Sequence, residues 1–172
     1  METVGRRSVD DLLQERVVHW PEAVTPIAQL MMRVFRVGGL MVDNVRRLAA
    51  EHDLTLTEFE VLVTLRGVAP PHELAPTDLY GAILISSGGL TKVLHALQDR
   101  KLITRGSSRT DRRSKPVRLT AKGRALAERA MADVLRSDAD LIGRGLSKAE
   151  IAQLTALLRK LLATLEPADT AG

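Results

Sequence analysis

Cysteine is absent from the 172 residues. That excludes disulfides, zinc–thiolate sites, thiol catalysis and thiol redox sensing. Aromatic residues are scarce, 2% in all, so a core must be built from leucine, valine, isoleucine and alanine. Such a composition favours packed helices over sheets, which enrich aromatic and β-branched residues. No run reaches the ~18 uninterrupted apolar residues of a membrane span. The charged opening METVGRRSVDDLLQERV lacks the apolar region of a secretory signal, so a cytoplasmic protein is expected. A glycine-rich phosphate loop, a nucleophile motif and metal-ligand spacing are also missing. The four histidines, His19, His52, His72 and His95, are scattered. Neither an enzyme nor a bound cofactor or metal is expected.

Hydrophobic residues make up 45% of the chain and charged residues 27%, enough for a folded domain and too apolar for global disorder. The formal net charge of +4 conceals an asymmetry. Between Arg100 and Arg124 stand ten basic residues and one acid, Asp111, while the remainder of the chain is net negative. A basic patch on a mildly acidic body points to a polyanionic partner; the bland alternative is a solvated loop.

Periodicity supplies the elements. A short polar helix is predicted from about Val9 to His19, ending before Trp20-Pro21. From Pro26 to about Glu51 the positions Ile27, Leu30, Met31, Val34, Met41, Val45 and Leu48 follow a helical repeat. In LTLTEFEVLVTLRG, Thr57 and Glu60 fit a capping box, and Gly67 closes that helix. VAPPHEL reads as a proline-rich linker, and APTDLYGAIL opens a short helix with Pro76 in its first turn. The next helix has Ser86 or Ser87 as cap and an apolar stripe of Leu90, Val93, Leu94 and Leu97. LITR and KPVRLT read as two strands around the basic stretch, with Pro116 placing the second on a sheet edge. Thr120 caps a long helix to about Gly143, and Ser147 with Glu150 opens a last one carrying Ile151, Leu154, Leu158, Leu161 and Leu165 on one face.

Helix, turn, helix, strand, basic hairpin, strand is the order of a winged helix-turn-helix, so the expected fold class is mainly α with that motif at its centre. The second helix of the motif would enter a DNA major groove. Its candidate contacts are Ser86, Ser87, Gly88, Thr91, Lys92 and His95, where hydroxyls and a lysine suit phosphates and base edges. In the wing, Arg109, Arg112 and Lys115 are candidates for phosphates and Arg113 for the minor groove. Asp111 is placed to orient Arg113 or to make the hairpin turn. An RNA-binding winged helix is the competing class, but no aromatic residue interleaves with the basic stretch to stack on bases. A dimer module with an idle basic hairpin is the third.

The stretches PTDLYGAILISSGGLTKVLHALQDRKLITR and DRRSKPVRLTAKG resemble the MarR (multiple antibiotic resistance regulator) family of bacterial transcription factors. Asp111 and Arg113 match its wing motif; Leu119, Thr120 and Gly123 match the start of the helix that follows. The resemblance covers about Pro26 to Leu165 and implies a homodimer with long N- and C-terminal dimerisation helices. It also implies binding to a pseudo-palindromic operator and release by a small aromatic or phenolic anion, with repression the usual outcome. The corresponding division is 1–52 for dimerisation and one pocket wall, 53–120 for DNA binding, 121–166 for dimerisation and 167–172 for a disordered tail. The added N-terminal helix ending at Trp20 is similar to a urate-responsive branch of the family. That pattern assigns ligand contacts to Trp20, Glu60 and Arg105. It has Glu60 in place of an aspartate and Val93 in place of an arginine, so a smaller or less charged aromatic ligand than urate is expected.

Overall fold

The computed structural model describes residues 7–83, 89–106 and 115–166. Seven helices and three short strands follow in the order α1 (Val9–His19), α2 (Pro26–Glu51), α3 (Leu56–Gly67), β1 (Glu73–Leu74), α4 (Pro76–Ala82), α5 (Leu90–Asp99), β2 (Ile103–Arg105), β3 (Val117–Leu119), α6 (Ala121–Gly143) and α7 (Lys148–Leu165). A single 3-10 turn, Pro21–Ala23, separates α1 from α2. The chain divides into two compact units, Met1–Ala130 and Met131–Gly172, with the boundary inside α6. Among the described residues, no helix is long and apolar enough to cross a membrane.

Side-chain caps set most helix starts. Ser8 and Asp11 form a capping box at α1. Thr25 accepts from the Ala28 N–H at α2, where Pro26 fills the first helical position. Ser147 and Glu150 form the expected box at α7. The Ser147 hydroxyl, then its backbone N–H, hold the Glu150 carboxyl below its ordinary range. The stabilisation from that box is complete above the unfolded carboxyl's pKa and is lost as pH falls through the lower, folded value.

At α3 the expected box is displaced by two residues: Thr55 and Glu58 form it, not Thr57 and Glu60. Both pairs have the T-x-x-E spacing, and burial decides between them. Starting at Leu56 brings that leucine into the core and turns Glu60 inward, where it is 4% exposed.

Two helices end in a Schellman motif without glycine. At the end of α5, Lys101 N–H donates to Gln98 O and Leu102 N–H to Leu97 O, both at 2.9 Å. At the end of α2, Asp53 N–H donates to Ala50 O and Leu54 N–H to Ala49 O, both at 3.0 Å. The left-handed position is taken by Lys101 (φ 59°) and Asp53 (φ 55°). In each case the next residue, Leu102 or Leu54, is buried, which is the hydrophobic contact that accompanies this motif.

The sheet is antiparallel with strand order β1-β3-β2. Glu73 pairs with Arg118, and Thr104 pairs with Arg118 from the other side. β3 is therefore the central strand, not an edge. Pro116 is tolerated because it precedes the first ladder residue, and its carbonyl accepts from Gly106 N–H at 2.9 Å. The partner that makes β3 central, β1, arises within the stretch read as a linker. Val117 and Leu119 face the core while Arg118 is exposed. Leu62, Leu65, Leu79, Leu94, Leu97 and Leu102 are the large side chains most fully enclosed beside Ile103 and Val117. The core is thus almost wholly aliphatic, with Phe59 the one aromatic side chain buried among the described residues.

The start of α6 is tied closely to β2. Thr120 N–H and hydroxyl both donate to Leu102 O, at 3.1 and 3.0 Å. The same hydroxyl accepts from Gly123 N–H at 3.0 Å, so Thr120 is the expected cap. A Cβ at Gly123 would lie 2.0 Å from Leu102 O, a distance that only displacement of backbone could relieve. Gly123→Ala is expected to destabilise the fold by about 1–3 kcal/mol or more through this overlap, measured by urea denaturation; an unchanged midpoint would contradict the close approach. Lys101→Gly is expected to raise stability by up to about 1 kcal/mol, because glycine adopts the left-handed conformation without penalty. A destabilised Lys101→Gly variant would contradict the role given to the backbone there.

Candidate DNA-binding surface

Helix α4 packs on α3 and buries Leu79 completely. Helix α5 packs on α3 and leads into β2. One face of α5 buries Leu94 and Leu97 and half-buries Leu90 and Val93. The opposite face presents Thr91, Lys92 and His95 to solvent. These three positions, i, i+1 and i+4, share a side of the helix, so three of the six expected contacts on this helix lie together. Between α4 and the start of α5 is an open cleft of about 640 Å³, lined by Pro76, Thr77, Tyr80, Gly89, Leu90 and Thr91.

The start of α5 differs from the sequence expectation. Its N-cap is Gly89, with φ 71° and no side-chain cap, rather than Ser86 or Ser87. Glycine takes the left-handed region without the penalty a Cβ brings, which is the physical use of the second glycine in SSGGL. Lys92 and Val93 N–H groups donate to Gly89 O, while the first-turn donors before them receive no capping side chain. A helix N-terminus that no side chain caps among the described residues favours an anion. Ser86, Ser87 and Gly88 lie outside the described residues, as do Arg109, Asp111, Arg112 and Arg113 of the wing and the 167–172 tail. Lys115, at the foot of the wing, is half-buried.

Not every cation in the basic stretch faces outward. Arg100 Nη1 lies 3.2 Å from Glu58 Oε1, an ion pair whose carboxylate is 90% shielded. Lys122 Nζ donates to Arg100 O at 3.1 Å. Arg100 is half-buried and Lys122 exposed, yet both bind groups of the scaffold itself. Charge counting misses this division, since the sequence carries no sign that Glu58 reaches Arg100 across 42 residues.

The three expected ligand contacts stand on three elements. Trp20 follows α1, with its backbone N–H on Arg16 O and 62% of its surface exposed. Glu60 is buried on α3 and takes no part in the helix cap, which removes the competing role suggested by its spacing from Thr57. Arg105 ends β2; it is half-buried, and its Nε is fully enclosed with no hydrogen-bond partner among the described residues. Val93, on the flank of α5, is half-buried.

Comparison with known proteins agrees with this arrangement. The model of the MarR family matches residues 52–114. An HTH-type transcriptional repressor of Mycobacterium tuberculosis is 34% identical over 117 residues, covering 68% of this chain and 82% of that protein. A MarR family transcriptional regulator from Streptomyces coelicolor, solved in complex with DNA, superposes with a TM-score of 0.71 at 19% identity, covering 86% of this chain and 93% of that one. BpsR of Bordetella bronchiseptica, whose DNA binding is regulated by 6-hydroxynicotinic acid, superposes with a TM-score of 0.64 at 28% identity, covering 77% of this chain and 98% of that one. An aliphatic helical core, a short antiparallel sheet and an outward polar face on α5 are thus joined by sequence and structural likeness, and the chain belongs to the MarR family of DNA-binding transcriptional regulators.

Proposed function

We propose that this regulator is a homodimeric repressor that occupies a pseudo-palindromic operator and is released by a small aromatic anion. The observation that carries the DNA reading is the outward face of α5: Thr91, Lys92 and His95 exposed beside a helix start at Gly89 that no side chain caps among the described residues. Two such helices in a dimer read half-sites about one helical turn apart, ~34–36 Å. Ser86, Ser87 and Gly88 extend the contact ahead of the helix. Arg109, Arg112 and Lys115 hold phosphates, and Arg113, oriented by Asp111, enters the minor groove. The similar repressor of M. tuberculosis supports repression as the outcome.

The dimer reading rests on apolar side chains left in water by the single chain. Helix α7 exposes Leu154, Leu157, Leu158, Leu162 and Leu165, and α2 exposes Ile27, Leu30, Phe35, Val37 and Leu40. Exposure on this scale along two helices marks a protein interface. Segments 1–52 and 121–166 accordingly serve dimerisation, with 53–120 as the DNA-binding lobe.

For the effector, an enclosed guanidinium nitrogen on Arg105 is suited to a carboxylate or phenolate, and Trp20 to an aromatic ring. Glu60 is the third contact. Regulation of BpsR by an aromatic acid supports that chemical class. With Val93 in place of a second cation, a singly charged ligand fits better than one needing two.

Arg113→Ala is expected to weaken operator binding by about tenfold or more without unfolding the protein, measured by fluorescence anisotropy beside a thermal melt; unchanged operator affinity would rule out the wing assignment. Lys92→Ala is expected to weaken binding and to reduce the salt slope by about one unit if its partner is a phosphate. Trp20→Ala is expected to keep DNA affinity while blunting release by an aromatic acid. A normal release curve would show that the ring only packs.

A further inference from the structure

We infer that Arg100, Thr120 and Lys122 are positioning residues for sequence readout: together they lock the C-terminal end of α5 to α3 and α6, and so set the tilt at which its reading face meets the bases. The inference rests on the DNA-binding reading above and extends it to residues that are not placed against DNA.

Three attachments converge on the last turn of α5. The Arg100 side chain reaches Glu58 on α3 at 3.2 Å. Glu58 is itself held, accepting from Thr55 N–H at 2.8 Å and from the Thr55 hydroxyl at 3.0 Å. The Arg100 carbonyl accepts from Lys122 Nζ on α6 at 3.1 Å. The Lys101 and Leu102 carbonyls accept from the Thr120 hydroxyl at 2.9 and 3.0 Å. The last two attachments meet backbone carbonyls just past the end of the helix. Lys101 holds a left-handed conformation between them, a strained state that persists where its surroundings over-determine it.

At the other end of α5 no comparable anchor is present among the described residues. Gly89 carries no side-chain cap, yet the first turn is where Thr91 and Lys92 stand. A helix of 10 residues is about 15 Å long. Pivoting it by about 5° at its anchored end moves its reading end by roughly 1.3 Å, beyond what a base-edge hydrogen bond tolerates. Phosphate contacts by lysine and arginine are far less sensitive, because a point charge with a flexible stem follows the backbone. Loosening the anchor therefore lowers discrimination between sequences more than it lowers affinity for DNA as such.

The test uses the full chain carrying Thr120→Val or Lys122→Met, with Thr120→Ser and Lys122→Arg as conservative partners. An operator selected from random duplexes, a scrambled duplex, and operators with half-sites moved by one base pair are titrated over a range of salt. In both disrupting variants, affinity for the scrambled duplex and its salt slope are expected to stay within about twofold of the parent. The operator-to-scrambled ratio is expected to fall about tenfold or more, and the preference for one half-site spacing to flatten. Thr120→Ser and Lys122→Arg are expected to restore both. Lys122 is exposed, so its variant folds even if loss of the Thr120 cap weakens α6. Native discrimination and spacing preference in a folded Lys122→Met protein would overturn the inference, as would a loss of operator and scrambled binding in equal proportion. A parent chain that prefers no operator at all would overturn the DNA-binding reading together with it.

Discussion

The carbonyl oxygen of Leu102 is the point on which the packing of α5, β2 and α6 turns. It accepts two hydrogen bonds from Thr120, and it sits where any side chain at Gly123 would have to be. Around it, α5 ends, β2 begins and α6 starts. The approach is possible only because Gly123 has no Cβ, and Thr120 fills the remaining bonding demand on both sides: it donates to Leu102 and accepts from Gly123. The helix expected to read DNA is therefore fastened directly to the helix that begins the C-terminal segment. Both in turn are fastened to α3 through Glu58 with Arg100, and through the exposed Arg66–Glu128 pair. Arg66 also holds the Glu128 carboxyl below its ordinary range.

Much of this was legible in the sequence because it rests on local signals. The limits of α1, α2 and α6, the Ser147 box, the Thr120 cap and the apolar stripe of α5 all follow from spacing and cap chemistry within a few residues. Three features did not follow, each for a physical reason. At α3, two overlapping T-x-x-E patterns were equivalent until burial of Leu56 chose the earlier one. At α5, Ser86 or Ser87 was the expected cap, but the N-cap is Gly89 in the left-handed region, a conformation glycine adopts without the penalty a Cβ brings. At β3, proline suggested an edge, yet it stands one residue before the ladder, and the neighbour that makes the strand central comes from a segment with the composition of a linker. Of the candidate site, the face carrying Thr91, Lys92 and His95 was legible from helical period. The structural use of Arg100 and Lys122 was not, because it depends on contacts distant in sequence.

The basic stretch consequently has two layers. In the first, half-buried Arg100 and exposed Lys122 direct their hydrogen bonds to the scaffold. Beyond it, in the proposed complex, the wing arginines and Lys115 meet phosphates and the minor groove. A modest net charge of +4 is consistent with this economy, since an acidic body limits indiscriminate adhesion to polyanions while the patch retains its local field. The apolar faces of α2 and α7 give the proposed dimer its contact surface, and the enclosed nitrogen of Arg105 gives the proposed effector a charged partner close to the foot of the wing. DNA and effector would then act on one small lobe whose recognition helix is anchored at its C-terminal end.

The central claim is that this chain recognises a particular duplex sequence. Its most direct test is a titration of the native protein with a selected operator and a scrambled duplex of equal length, across ionic strengths. The account predicts a steep loss of affinity with salt for both, and an operator bound ~10³-fold or more tightly at physiological salt. Equal and weak binding to both duplexes, matched by any other polyanion, would contradict it.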